Sequence, residues 1–169
     1  DDVLADAARM LRVHGSKQRY YHEAHGFNAR LDEIQAAVLR VKLPYLEAAN
    51  DRRRAAAAYY KQRLADLPGV VTPIEKHGVK HVYHQYTIRV DASRRDAIHK
   101  YLTEHGVGAA IYYPVPLHQQ TIYKDQRVSL PRVEQAAKQV ISLPMGPGLK
   151  EDTIDEVVDR LRDALQQAR

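Results

Sequence analysis

Apolar residues at positions 3, 4, 7, 8, 10 and 11 recur at helical spacing, which predicts a short helix from Val3 to Val13 that stops near His14-Gly15, where Gly can supply a left-handed cap. Periodicity then fails over residues 16 to 29, which hold Gly26 and Asn28 and read as a loop. From Leu31 the stripe resumes: Leu31, Ile34, Val38 and Val41 fall three or four apart, so one apolar face runs down a helix. Pro44 bends or restarts that helix, because proline removes an amide donor and crowds the preceding turn. Its continuation from Tyr45 to Leu67 carries Ala57, Tyr60, Leu64 and Leu67 and ends at Pro68-Gly69.

Beyond that point the period changes to two. In VYHQYTIRV, residues Val82, His84, Tyr86, Ile88 and Val90 share one side and Tyr83, Gln85, Thr87 and Arg89 the other, the pattern of a half-buried strand. A helix over 94 to 105 ended by Gly106, a second strand from Val107 to Tyr113, and a stiff Pro114/Pro116 turn leading to His118 follow. Then come a helix over about 131 to 140, a strand from Val140 to Leu143, and a last helix. Its stripe is Ile154, Val157, Val158, Leu161 and Leu165, with Thr153 and Glu156 at capping-box spacing. This order predicts an α/β unit hung on a long kinked helix, with a domain boundary within residues 14 to 30.

Composition narrows the function classes. The 169 residues are 44% hydrophobic with no apolar run long enough for a membrane span, no export signal and no cysteine, which excludes a disulfide framework or thiolate metal site and points to a cytoplasmic protein. A chain that opens on Asp1 and runs straight into helical periodicity suggests that the protein begins earlier. The net charge of +5 comes from 26 basic and 21 acidic residues interspersed, so a solvated mixed-charge surface is favoured over a nucleic-acid face, although Arg52-Arg53-Arg54 keeps that alternative open. His22/His25 and His81/His84 are the tightest histidine pairs. On a strand, residues three apart face opposite ways, and the first pair has no evident third ligand, so no metal site is expected. Ser16, Ser93 and Ser142 lie in no Gly-x-Ser-x-Gly elbow, and Gly146-Pro147-Gly148 is a rigid connection without the spacing of a phosphate-binding loop.

Four blocks in order, HGFNARLDEIQAAVLRVKL, HVYHQYTIRV, GVGAAIYYPVPLHQQTIY and VISLPMGPGL, carry a resemblance that spans nearly the whole chain. They are similar to the C-terminal part of the DegT/DnrJ/EryC1/StrS family, pyridoxal-phosphate aminotransferases of nucleotide-linked sugars. The resemblance implies the small domain of a fold-type I aminotransferase: residues 1–15 close the large cofactor domain, 16–30 form a loop reaching toward the partner subunit, and 31–169 make the small domain. It implies a homodimer with a shared site, pyridoxal 5'-phosphate as cofactor, L-glutamate as amino donor and a nucleotide-linked keto sugar as acceptor, in polysaccharide or antibiotic sugar biosynthesis. The Arg19-Tyr20-Tyr21-His22 form of the loop is similar to that of members acting on 3-keto sugars, with amination at C4 the alternative left open.

Within the resemblance, Asn28 contacts the cofactor phosphate of the neighbouring subunit and Arg30 adds a charge-assisted bond there. The resemblance also implies that Tyr20, Tyr21 and His22 sit near the sugar and nucleotide in the partner's site and that the proline turn brings His118 toward the sugar. The lysine that holds the cofactor would lie upstream of Asp1, so this stretch alone is expected to be inactive; Lys17 has no surrounding motif that would make it that lysine. Tyr112 stands where relatives commonly have His. Other readings stay open at this point. Asn28 could cap the helix at Leu31, the tyrosines could be packing groups, His84 and Tyr86 could be core or interface groups, and the whole could be a regulatory, nucleic-acid-binding or dimerisation module.

Overall fold

The computed structural model describes residues 1–126 and 128–168, and the side chains outside 124–126. The chain forms two compact units that part between Leu46 and Glu47.

In the first unit α1 (Asp2–Leu11) begins at Asp1, whose carboxylate accepts the Leu4 amide, as an acidic N-cap should. The expected loop after it contains a small antiparallel hairpin, β1 (Ser16–Gln18) and β2 (Tyr21–His22), turned by Tyr20 at φ +71°. Residues 23 to 29 then double back along the end of α1: Phe27 N–H donates to Leu11 O at 2.7 Å, His14 N–H to Phe27 O at 2.9 Å and Ala29 N–H to Arg12 O at 3.0 Å. Two glycines permit this close approach. At Gly15, φ +70°, an added Cβ would lie 1.8 Å from Ala24 O, and at Gly26 it would lie 2.0 Å from Gly15 N. These bonds keep the hairpin with the leading helix. The next helix, α2 (Glu33–Lys42), starts two residues later than Leu31, with Asp32 at its N-cap, so capping by Asn28 is ruled out. Its apolar stripe, Ile34, Val38, Leu39 and Val41, is exposed throughout.

Pro44 sits in a 3-10 turn, Leu43–Tyr45, and helical backbone resumes as α3 (Leu46–Leu64). In the second unit β3 (Tyr86–Arg89) pairs antiparallel with β4 (Val140–Leu143), in register Tyr86 with Leu143 and Arg89 with Val140. Single bridges, Val71 with Arg89 and Ala110 with Ser142, flank this pair. Helices α4 (Arg95–Glu104), α5 (Pro131–Gln139) and α6 (Glu151–Gln167) complete the unit. One core joins Tyr60 and Leu64 of α3, Tyr86 and Ile88 of β3, Ile98 and Leu102 of α4, Ile141 and Leu143 of β4, and Ile154, Val158 and Leu161 of α6. Each such side chain contributes about 1.5–3 kcal/mol of burial, and the helical and strand stripes meet because each is apolar on one side only.

Three expectations need correction. The strand expected over 82 to 90 is limited to Tyr86–Arg89, since β4 offers only four residues to pair with, and His84 is exposed while Tyr86 is core. The strand expected from Val107 to Tyr113 is a single bridge at Ala110. Thr153 caps nothing: α6 begins at Glu151 with Lys150 as N-cap, and its acidic first turn suits the helix dipole instead.

Candidate functional site

The hairpin tip presents its chemistry to solvent. Tyr20 and Tyr21 are 77% and 66% exposed, and the Arg19 guanidinium lies 4.9 Å from the centre of the Tyr20 ring, close enough for a cation–π contact. His22 is anchored: its Nδ1–H donates to His14 O at 2.9 Å, which leaves Nε2 as the outward ring nitrogen. Lys17 is 3.2 Å from Glu23, an ion pair across the hairpin.

Asn28 is bridged through its backbone to Val13, and its side chain is exposed beside that of Arg30. Arg30 Nε donates to Asn28 Oδ1 over 3.5 Å, a long contact that turns the amide nitrogen of Asn28 away from it. Among the described residues no carboxylate is bonded to Arg30. An amide N–H and a guanidinium side by side, both facing solvent, form a donor set for an oxyanion. The structure thus brings Asn28 and Arg30 together, and Tyr20, Tyr21 and His22 together on one hairpin.

His118 belongs to the second unit. It lies in a 3-10 turn, Leu117–Gln119, that follows the two prolines, and its side chain is only 9% exposed. Its Nε2 is 3.0 Å from Glu134 Oε1, and the same oxygen accepts Leu130 N–H at 2.9 Å. These two bonds, the Leu130 amide first and His118 second, hold the Glu134 carboxyl below the usual carboxylate range. His118 lines a cavity of about 290 Å³ with Leu117, Tyr123, Val128, Leu130 and Val133. A second cavity, about 520 Å³, is walled by Tyr112, Tyr113 and the proline turn on one side and by Val133, Ala137 and Val140 on the other.

Several groups escaped sequence reasoning. Glu134 is the chief one; a Pro-led helix start with an acid in its first turn was the available signal. Arg95 is buried, its guanidinium donating to Ala137 O at 2.8 Å, and Arg94 donates to Ala168 O at 2.9 Å at the end of α6. Charged residues on an amphipathic pattern read as solvated, so neither could be found. Meanwhile the basic run is occupied within the chain: Arg52 donates to Pro147 O, Arg53 to Asn50, and Arg54 to Glu47 and Asp51. At His81, Nδ1 accepts the Tyr83 amide at 2.9 Å; residues 81 to 85 are not strand, so the opposite-face argument against a metal does not apply there. Among the described residues no three His, Asp or Glu come together as a metal site.

The family model described as the DegT/DnrJ/EryC1/StrS aminotransferase family matches residues 1–162. The chain belongs to that family. Among its relatives is a pleiotropic regulatory protein of Geobacillus stearothermophilus, 46% identical over 168 residues, which cover 96% of this chain and 45% of that protein. Another is dTDP-3-amino-3,4,6-trideoxy-alpha-D-glucose transaminase of Streptomyces venezuelae, 43% identical over 96% of this chain and 43% of the relative. The crystal structure of S. venezuelae DesV in complex with a ketimine intermediate superposes with a TM-score of 0.89 at 43% identity, covering 96% of this chain and 44% of that one. The α/β architecture is therefore that of part of a fold-type I aminotransferase of the DegT/DnrJ/EryC1/StrS family. The chain spans less than half the length of these relatives.

Proposed function

We propose that the protein to which this chain belongs is a pyridoxal-phosphate-dependent aminotransferase that moves an amino group from L-glutamate to a keto group, at C3, of a nucleotide-linked sugar. In this reading the chain is the C-terminal part of a cytoplasmic homodimer. Residues 1–15 close the large domain, 16–30 reach toward the partner subunit and 31–169 make the small domain. The lysine that holds the cofactor lies upstream. The observation that carries the reading is the family match over residues 1–162, with a relative named as a transaminase of a dTDP-linked 3-amino sugar 43% identical to the chain.

The residues present suit the cofactor's phosphate. Among the described residues, Asn28 Nδ2 and the terminal nitrogens of Arg30 are donors without a bonded carboxylate, on a segment fixed to α1 by backbone bonds, and a dianion would take charge-assisted bonds from both. Bound pyridoxal phosphate supplies the electron sink for amino transfer. The chain's own work is to bind and orient: Asn28 and Arg30 hold the phosphate of the neighbouring subunit, Tyr20 and Tyr21 offer aromatic faces to sugar or base, His22 offers Nε2, and His118 contacts a sugar hydroxyl.

The test is direct. Full-length protein with pyridoxal phosphate, glutamate and a dTDP- or UDP-linked 3-keto sugar should yield the amino sugar and 2-oxoglutarate by mass spectrometry. Cofactor bound but no product from any such sugar would favour a second reading, regulation, which the 46% identity to a pleiotropic regulatory protein supports. Against direct nucleic-acid binding in that reading stands the engagement of Arg52, Arg53 and Arg54 within the chain.

A further inference from the structure

His118 has two ring nitrogens, and one of them is committed. Nε2 lies 3.0 Å from Glu134 Oε1. That carboxylate is itself fixed, since the same oxygen takes the Leu130 N–H at 2.9 Å at the start of α5, where Pro131 offers no amide of its own. An ionised carboxylate can only accept, so Nε2 must carry a proton, and a neutral ring then has a bare lone pair at Nδ1. The ring is 9% exposed, so it has little room to flip. Of the side chains that line the cavity with it, Leu117, Val128, Leu130 and Val133 carry no polar atom, and the Tyr123 hydroxyl makes no hydrogen bond to Nδ1 among the described residues.

We propose that Glu134 is a positioning residue: it locks His118 in the Nε2–H form, so that the ring meets the sugar with Nδ1 as a hydrogen-bond acceptor. This rests on the reading of His118 as a sugar contact and deepens it into a rule of specificity. A histidine free to choose its tautomer could greet either a hydroxyl or an ether oxygen. One locked by Glu134 selects a hydroxyl, which can donate, and rejects a sugar that is deoxygenated or etherified at that carbon.

The test uses the full-length holoenzyme. Solid-state NMR of the protein labelled with 15N-histidine, with His118 identified by its absence from the His118→Ala variant, should show a protonated, pyrrole-type Nε2 and a bare, pyridine-type Nδ1. In steady-state kinetics, His118→Ala and Glu134→Ala should each lower kcat/KM for the sugar about tenfold, the worth of one hydrogen bond. The double variant should lose no more than either alone, and Glu134→Gln, whose amide oxygen can still accept, should retain activity within about threefold. A bare Nε2 in the wild type, losses that add in the double variant, or a Glu134→Gln loss as large as that of Glu134→Ala would each overturn the proposal while leaving the aminotransferase reading intact. An unchanged kcat/KM in His118→Ala would remove the sugar contact itself, and the positioning role with it.

Discussion

Tyr60 and Tyr86 are stacked with ring centres 4.8 Å apart and planes 21° from parallel, and both are wholly buried, yet their hydroxyls differ in one respect. Tyr60 O–H donates to Pro144 O at 3.0 Å, whereas the Tyr86 hydroxyl has no partner among the described residues. Burial pushes both phenols up, so each is a neutral O–H at any physiological pH. Replacing either by Phe keeps the ring, the stack and nearly all the apolar burial, which isolates the hydroxyl. Tyr60→Phe deletes a hydrogen bond and leaves the Pro144 carbonyl short of a donor, a cost of about 1–2 kcal/mol. Tyr86→Phe deletes a polar group that was desolvated without compensation, and is expected to be neutral or to stabilise by up to about 1 kcal/mol. Native-state hydrogen exchange at the β3 and β4 amides reads the opening free energy of this unit alone, and the two variants should separate by about 2 kcal/mol with opposite signs around the wild type. Equal destabilisation by both would refute the reasoning, because it would mean that the Tyr86 hydroxyl has a partner, such as a buried water, as good as Pro144.

Other outcomes follow from the same geometry. Leu161→Ala, at a wholly buried α6 position, should cost roughly 2–5 kcal/mol in the same exchange experiment, since the core around it cannot close fully over the void. Gly15→Ala places a methyl against the Ala24 carbonyl at a left-handed backbone, and should free residues 16 to 29 from α1, seen as faster proteolysis there while exchange in β3 is unchanged. Glu134, held below its ordinary range by Leu130 and His118, stabilises the native state above the unfolded carboxylate pKa of about 4.3, and that contribution disappears as pH falls through its lower folded value. The unfolding midpoints of wild type and Glu134→Gln should therefore differ at pH 7 and converge at strongly acidic pH.

What the chain makes legible is its periodicity. Val140 to Leu143 was readable as a strand to the residue, α4 to within one residue at each end, and α6 by its buried stripe though not by its start, because each buries a stripe that repeats at its own spacing. Alternation from Val82 onward was real, but strand ends are set by the partner, and a four-residue β4 leaves residues 82 to 85 nothing to pair with. The hairpin at Ser16 to His22 carries no alternation at all; it is shaped by a left-handed Tyr20 and by backbone bonds back to α1, neither of which a hydropathy pattern encodes. Of the candidate site, the block of Asn28 and Arg30 was visible through resemblance, while the partnership of His118 with Glu134 joins residues sixteen apart through a turn and a helix start, and only coordinates reveal it.

The central claim is that Asn28 serves a cofactor held by the other subunit. It is tested most directly by mixing two inactive forms of the full-length protein, one with Asn28→Asp, which sets a carboxylate against the phosphate, and one lacking the upstream cofactor lysine. After dissociation and reassembly, half the dimers pair one of each, and in a two-fold dimer one site of each such pair has both a native lysine and a native Asn28, so about a quarter of wild-type activity should return. If Asn28 instead serves its own subunit, every site in every dimer carries a lesion, and the mixture will stay inactive.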